Sequence, residues 1–179
     1  PESQNNMKEI LFAGIGGQGI ILSANILARS AAAKGFYACQ SQSYGSESRG
    51  TVSRAEVVID QDFIDFPHVE YADYFIAMAE PGLKMLQEKI KPHTIVLYDG
   101  SVFTPQETLG KEMINIEATK ISLDHLGRPL FANVVMLGAL VKKSGLLSFE
   151  EVAAELKQNV PPKAIEENTR ALTLGYKAM

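Results

Sequence analysis

Short apolar runs alternate with longer stretches in which apolar residues return every three or four positions, and this alternation persists along most of the chain. Residues 8–13 (KEILFA) form a compact apolar run bounded by glycine, the pattern of a strand buried on both faces. Residues 20–34 (IILSANILARSAAAK) follow with helical periodicity and stop at Gly35, a suitable helix C-cap. A second strand is predicted over 35–42, a Gly/Ser-rich loop over 42–51, and a third strand over 52–59 (VSRAEVVI). Pro67 keeps the following FIDFPHVEYA irregular or only briefly helical. Strand 74–79, helix 81–90 with proline at its start, and strand 94–98 then repeat the alternation, and residues 112–116 and 118–126 suggest one more strand and helix. An apolar helix is predicted over 133–143, ending near Gly145, and two amphipathic helices over 148–158 and 161–179. Ser148 and Glu151 there have the spacing of a capping box.

Strands alternating with helices predict an α/β fold: a three-layer, Rossmann-like domain with a mostly parallel sheet and C-terminal helices. Residues 1–6 (PESQNN) lack any apolar pattern and read as a disordered tail or a cloning remnant, so one domain is expected over 7–179.

The first strand-to-helix turn reads FAGIGGQG, a literal G-x-G-x-x-G through Gly14, Gly16, Gly17 and Gly19, with Gln18 inside it. Such a turn frees backbone N–H groups at a helix start and favours an anion. A dinucleotide site also calls for an acidic side chain ~20 residues on, at the end of the second strand, to hold the ribose. That place holds Cys39, Gln40, Ser41 and Gln42, and the first acid is Glu47, already inside the next loop. A purely structural turn satisfies the glycines as well.

Composition narrows the choice. The chain has 179 residues, 46% of them hydrophobic, and a formal charge of −4, with no long basic run. Nucleic acid and membrane surfaces are therefore poor partners. No apolar run approaches ~20 residues, and a cytoplasmic location is expected. The single Cys39 cannot by itself ligate an iron–sulfur cluster or build a zinc site. His68, His93 and His125 lie far apart in irregular or terminal contexts, so no metal site is expected and each reads as a surface residue.

A second loop adds specificity. QSYGSESRG, residues 42–50, places Tyr44, Gly45, Glu47, Arg49 and Gly50 at the carboxyl end of the second strand, on the rim shared with FAGIGGQG. These two motifs, followed by Asn133-Val-Val-Met-Leu-Gly-Ala, resemble in order and spacing the gamma subunit of the 2-oxoacid:ferredoxin oxidoreductases, the pyruvate and 2-oxoglutarate synthase group. The resemblance covers nearly all of 7–179. Ser46 stands where the family loop usually has proline, and Thr51 where it has its last glycine.

The resemblance implies a subunit of an enzyme that decarboxylates a 2-oxoacid on thiamine diphosphate, passes electrons through iron–sulfur clusters to ferredoxin and releases acyl-coenzyme A. It implies thiamine-binding alpha and beta subunits and a ferredoxin-like subunit as partners. The gamma portion would carry neither thiamine nor clusters and would contribute to the coenzyme A step. The residues themselves leave alternative roles open. The glycines bind a phosphate-bearing ligand or shape a turn. Gln18 hydrogen-bonds at the mouth or sits on the helix surface, and Arg49 forks onto a phosphate or pairs with Glu47 or a neighbouring subunit. Tyr44 stacks on adenine, lines an interface or ends a strand, Asn133 caps its helix or binds ligand, and Cys39 fills the core. An independent NAD- or FAD-dependent oxidoreductase, an adenylating enzyme and a structural interaction module stay open as alternatives.

Overall fold

The computed structural model describes residues 6–44 and 51–179, and of Tyr44 only the backbone. Among these residues six strands form one sheet in the order β2-β3-β1-β4-β5-β6. They are β1 Lys8–Ile15, β2 Tyr37–Tyr44, β3 Val52–Asp60, β4 Tyr74–Ala77, β5 Ile95–Tyr98 and β6 Glu112–Asn115. β1, β4, β5 and β6 pair in parallel, while β3 runs antiparallel to both β1 and β2. Five strands thus point one way and β3 is reversed. The sheet is mostly parallel, as expected, with one reversed strand: β3 inserts between the first two strands and separates them, where a dinucleotide fold keeps them adjacent.

The helices are α1 Ile20–Lys34, α2 Glu80–Leu86, α3 Ala118–Leu126, α4 Ala132–Ser144, α5 Phe149–Asn159 and α6 Ile165–Lys177. Alternation along β1 sends Ile10 and Phe12 into a core shared with α1, α4, α5 and α6, and Leu11 and Ala13 into a second core with α2 and Ile64 and Val69 of the β3–β4 connection. The sheet is therefore covered on both faces. Predicted boundaries move by a few residues. β2 starts late because Gly35, at φ 103, closes α1 and the backbone N–H of Phe36 bonds back to Ala31. The helix expected over 81–90 ends at Leu86 and continues as a single 3-10 turn, and the last helix is preceded by another at Pro162–Ala164.

α4 is buried from Ala132 through Val141, so it has no solvent face at all over that span. Its neighbour α6 approaches so closely that a Cβ on Gly175 would lie inside the Val135 carbonyl, with the carbonyl carbon at 2.6 Å. On α5 the Ser148–Glu151 capping box forms as its spacing predicts: Glu151 N–H donates to Ser148 Oγ at 3.1 Å, and Ser148 N–H to Glu151 Oε2 at 2.7 Å. Cys39, expected in the core, is only half-buried at the flank of the second core, since β2 is an edge strand.

Two outcomes follow. Gly175→Ala normally gains ~1 kcal/mol of helix propensity, but here overpacking against backbone that cannot yield costs ~1–3 kcal/mol. Chemical denaturation is expected to show a net loss. The second concerns Glu9, whose carboxyl is pushed up from its ordinary value by partial burial; the Glu70 N–H, which it accepts at 2.6 Å, opposes the rise, and Asp73 adds to it. A raised carboxyl holds its proton more tightly in the folded state, so the associated stability is present below the ordinary value of 4.5 and is lost as pH rises through the folded value. Glu9→Gln keeps the acceptor but cannot titrate. Measured at about pH 4 and about pH 7, its stability relative to the parent chain is expected to improve at the higher pH.

Candidate functional site

β1 and β4 are parallel neighbours whose following helices, α1 and α2, cover opposite faces of the sheet. The strand order reverses here, and a crevice opens at the carboxyl ends of the strands, the place where open α/β sheets bind ligands. The last paired residues are Ala13 and Ala77. Beyond them the glycine turn occupies the crevice. The backbone N–H of Gly16 donates to the Thr51 carbonyl at 3.0 Å, Gly17 has φ 93, and Gly19, at φ 70, is the N-cap of α1.

Gln18 spans the crevice. Its Oε1 accepts the Ile15 N–H at 2.8 Å and its Nε2 donates to the Met78 carbonyl at 3.0 Å. Both ends of the amide are engaged within the chain, so Gln18 acts as an internal clamp, which neither role read from sequence described. Gly14 lies under this amide, which passes 2.5 Å from where a Cβ would stand. Asn133 differs from expectation in a similar way. Phe131 is the N-cap of α4 and Asn133 its second residue, with its Nδ2 donating to the Gly19 carbonyl at 2.9 Å. Ser23 Oγ returns a bond to the Asn133 carbonyl at 3.2 Å, locking the starts of α1 and α4 together. A side chain on Gly19 would collide with that Asn133 amide.

α1 has no side-chain cap and no acid in its first turn, so its leading N–H groups and positive dipole end point outward unneutralised. Beside them lies a cavity of about 550 Å³ whose lining includes Gly17, Gly19, Leu22, Leu130, Phe131 and Asn133, with Arg128, Val160, Lys163 and Glu167. Its wall combines apolar side chains with two cations and one acid. Leu130, 65% exposed, separates it from a second cavity of about 380 Å³ that also reaches Gly17 and Gln18 and includes Met78, Val102 and Thr119. Fully buried Asp99, at the end of β5, shapes that second wall. It accepts from Thr119 N–H at 2.9 Å, Thr119 Oγ1 at 2.6 Å and Ser101 N–H at 3.1 Å, and also from the Ser101 hydroxyl.

The second motif meets the first at its ends. Tyr44 pairs with Ser53, which pairs with Gly14, so β2 finishes beside the glycine turn, and Thr51 is bonded to Gly16. Gly45, Glu47, Arg49 and Gly50 lie outside the described residues. Among the described residues β2 carries no acid, and Gln40, Ser41 and Gln42 stand within the strand shortly before its end at Tyr44. The three histidines are exposed, His68 beside Glu56 and His93 beside Asp73. Among the described residues no group of three or more His, Cys, Asp or Glu could hold a metal ion.

Sequence reasoning missed Arg128, Lys163, Asp99 and Glu56. Glu56 is buried in β3, where it pairs with Arg54 and accepts Ser41 Oγ at 3.2 Å and Val69 N–H at 3.1 Å. A lone acid in the apolar run VSRAEVVI, and Asp-Gly-Ser closing TIVLY, were visible signals for the two carboxylates. Lys163 lies at the head of the predicted helix over 161–179 and Arg128 ahead of the apolar helix, and neither local pattern marks the cation as a site residue.

A mixed α/β sheet with a glycine turn at its switch point is the architecture of a known group, and the chain belongs to the pyruvate ferredoxin/flavodoxin oxidoreductase family, whose model matches residues 9–178. It is 37% identical over 175 residues to the 2-oxoglutarate synthase subunit KorC of Methanothermobacter marburgensis, covering 94% of each chain. The pyruvate synthase subunit PorC of the same organism is 32% identical over 177 residues, with 97% and 98% covered. The crystal structure of a keto/oxoacid ferredoxin oxidoreductase gamma subunit from Geobacter sulfurreducens superposes with a TM-score of 0.84 at 31% identity, over 96% of this chain and 97% of that one.

Gln18→Ala removes both crevice bonds and leaves the Ile15 N–H and Met78 carbonyl without partners, at ~1–3 kcal/mol for each buried group that water fails to reach. Amide hydrogen exchange is expected to accelerate at Ile15 and the turn before it does in α4.

Proposed function

We propose that this chain is the gamma subunit of a multi-subunit 2-oxoacid:ferredoxin oxidoreductase, and that its rim binds and orients coenzyme A. The observation that carries the reading is end-to-end similarity to 2-oxoglutarate and pyruvate synthase subunits of the same length. Identity to four 2-oxoglutarate synthase subunits, 34–37%, exceeds the 30–32% to pyruvate-type subunits, which favours 2-oxoglutarate as the oxoacid.

The crevice chemistry fits such a ligand. Coenzyme A pairs phosphates with a long, largely apolar arm. The open N-terminus of α1 with Arg128 and Lys163 suits the phosphates, and Leu22, Leu130, Phe131 and Val160 suit the arm. Gly17 and Gly19 bring backbone close to the ligand, Gly14 and Gly16 shape the turn, Gln18 and Asn133 hold it in place, and Tyr44, Gly45, Glu47, Arg49 and Gly50 are assigned ligand contacts from the sequence alone. The chain's part is binding and orientation. Thiamine diphosphate and iron–sulfur clusters supply decarboxylation and electron transfer, and this reading assigns them to the alpha, beta and ferredoxin-like subunits, in line with the single Cys39.

Reconstitution tests the proposal. The isolated chain is expected to be inactive, and 2-oxoglutarate-dependent reduction of ferredoxin or viologen by the other subunits should require it. Equal rates without it would sink the idea. Within the assembly, Arg128→Ala with Lys163→Ala is expected to raise the KM for coenzyme A about ten-fold, ~1.4 kcal/mol, with little change in the KM for the oxoacid. Arg49→Ala should act in the same direction.

A further inference from the structure

The connection between β3 and β4 distributes its apolar side chains against their size. Ile64 and Val69 are buried, whereas the larger Phe63 and Phe66 stand 73% and 60% exposed. Burial of such a ring is strongly favourable, so leaving two of them in water is a standing cost. Tyr37, also exposed, meets Phe63 edge to face with centroids 6.0 Å apart, and Phe66 meets His68 at 5.6 Å. These rings mark the pole of the sheet where β2 begins and β3 ends. Eight residue steps along β3 separate it from the glycine turn, roughly 26 Å.

The segment is held firmly at its inner side. Glu56 Oε2 accepts the Val69 N–H and lies 3.2 Å from His68 Nδ1, Glu9 accepts the Glu70 N–H, and Lys89 Nζ donates to the Val69 carbonyl at 3.2 Å. These bonds anchor residues 68–70, directly after the stretch that carries the exposed rings. The charge of the segment's own residues is one-sided, with Lys89 against the Val69 carbonyl and Lys8 in register with Ile59 as the neighbouring cations. Residues 60–73 carry five carboxylates, Asp60, Asp62, Asp65, Glu70 and Asp73, and no Lys or Arg. Lys91 over the Tyr71 ring and His93 beside Asp73 balance the far end. Among the described residues, Asp60, Asp62 and Asp65 enter no ion pair.

We propose that this aromatic, acidic pole docks a Lys/Arg-bearing face of another subunit of the assembly, remote from the coenzyme A rim. The assignment rests on the reading of the chain as one subunit of a hetero-oligomer. Central aromatic rings within a charged rim match the anatomy of a protein interface. A second copy of the chain fits poorly, because a two-fold contact sets the patch against itself and carboxylates against carboxylates.

Two double variants, Phe63→Ser with Phe66→Ser and Asp62→Lys with Asp65→Lys, change only exposed positions, and unchanged thermal unfolding would verify that they fold. In the full chain titrated against the thiamine- and cluster-bearing subunits, each is expected to weaken association about ten-fold, with the KM for coenzyme A unchanged in whatever assembles. Raising salt should weaken the parent chain's association and leave that of the lysine variant nearly flat. Parent-like association by both variants overturns the proposal, as does self-association of the parent chain that Phe63→Ser abolishes. If the parent chain itself fails to join those subunits, the functional reading falls, and this partner with it.

Discussion

The carboxamide of Gln18 bridges a gap that the sheet itself leaves open. β1 and β4 share backbone hydrogen bonds only as far as Ala13, Ala77 and Met78, after which their chains part toward helices on opposite faces. A parallel sheet has no means of joining strands past that point, since its ladder ends where the backbones diverge. One side chain with both a donor and an acceptor does so, linking Ile15 to Met78. The positions of Gly17, the start of α1 and the two cavities beside them all follow from that link. A charged residue could satisfy only half of it, and the amide does so without placing a net charge in the turn.

The other wall of the crevice is built by helices whose own fixity comes from packing. α4 is enclosed on every side and meets α6 at backbone contact, so the residues ahead of it, Arg128 to Phe131, project from a rigid base. Asn133 and Ser23 exchange bonds between the starts of α4 and α1. A ligand entering the larger cavity therefore meets surfaces that are already set, which spares it the cost of ordering them.

Much of this was legible in the chain because periodicity is local. Strand and helix identities, Gly35 as a terminator and the Ser148–Glu151 box depend on neighbours a few residues apart, and the structure contains them all. Pairing is not local. Nothing in VSRAEVVI states that it will run antiparallel between the first two strands, since an apolar run buried on both faces looks alike in either direction. The same limit explains the site. FAGIGGQG and the later Asn133 were visible, but the role of Gln18 depends on Met78, sixty residues away, and the cations Arg128 and Lys163 meet only when α5 and α6 fold over the crevice. Phe63 and Phe66 mislead in the opposite sense, for an apolar residue in sequence reads as core, and only the fold shows that Ile64 and Val69 have taken that place.

At nine residues β3 is the longest of the six strands. It is hydrogen-bonded along both edges, to β1 and to β2, from Val52 beside the glycine turn to Asp60 beside the exposed rings. A strand so flanked cannot slip by one residue without moving Ala55, Val57 and Ile59 from the first core to the opposite face, and Val58 and Glu56 from that face into the first core. The two ends of the molecule are consequently joined by a rod whose length is quantised in pairs of residues, and any neighbour that touched both ends would find their spacing set as firmly as the rungs of a ladder.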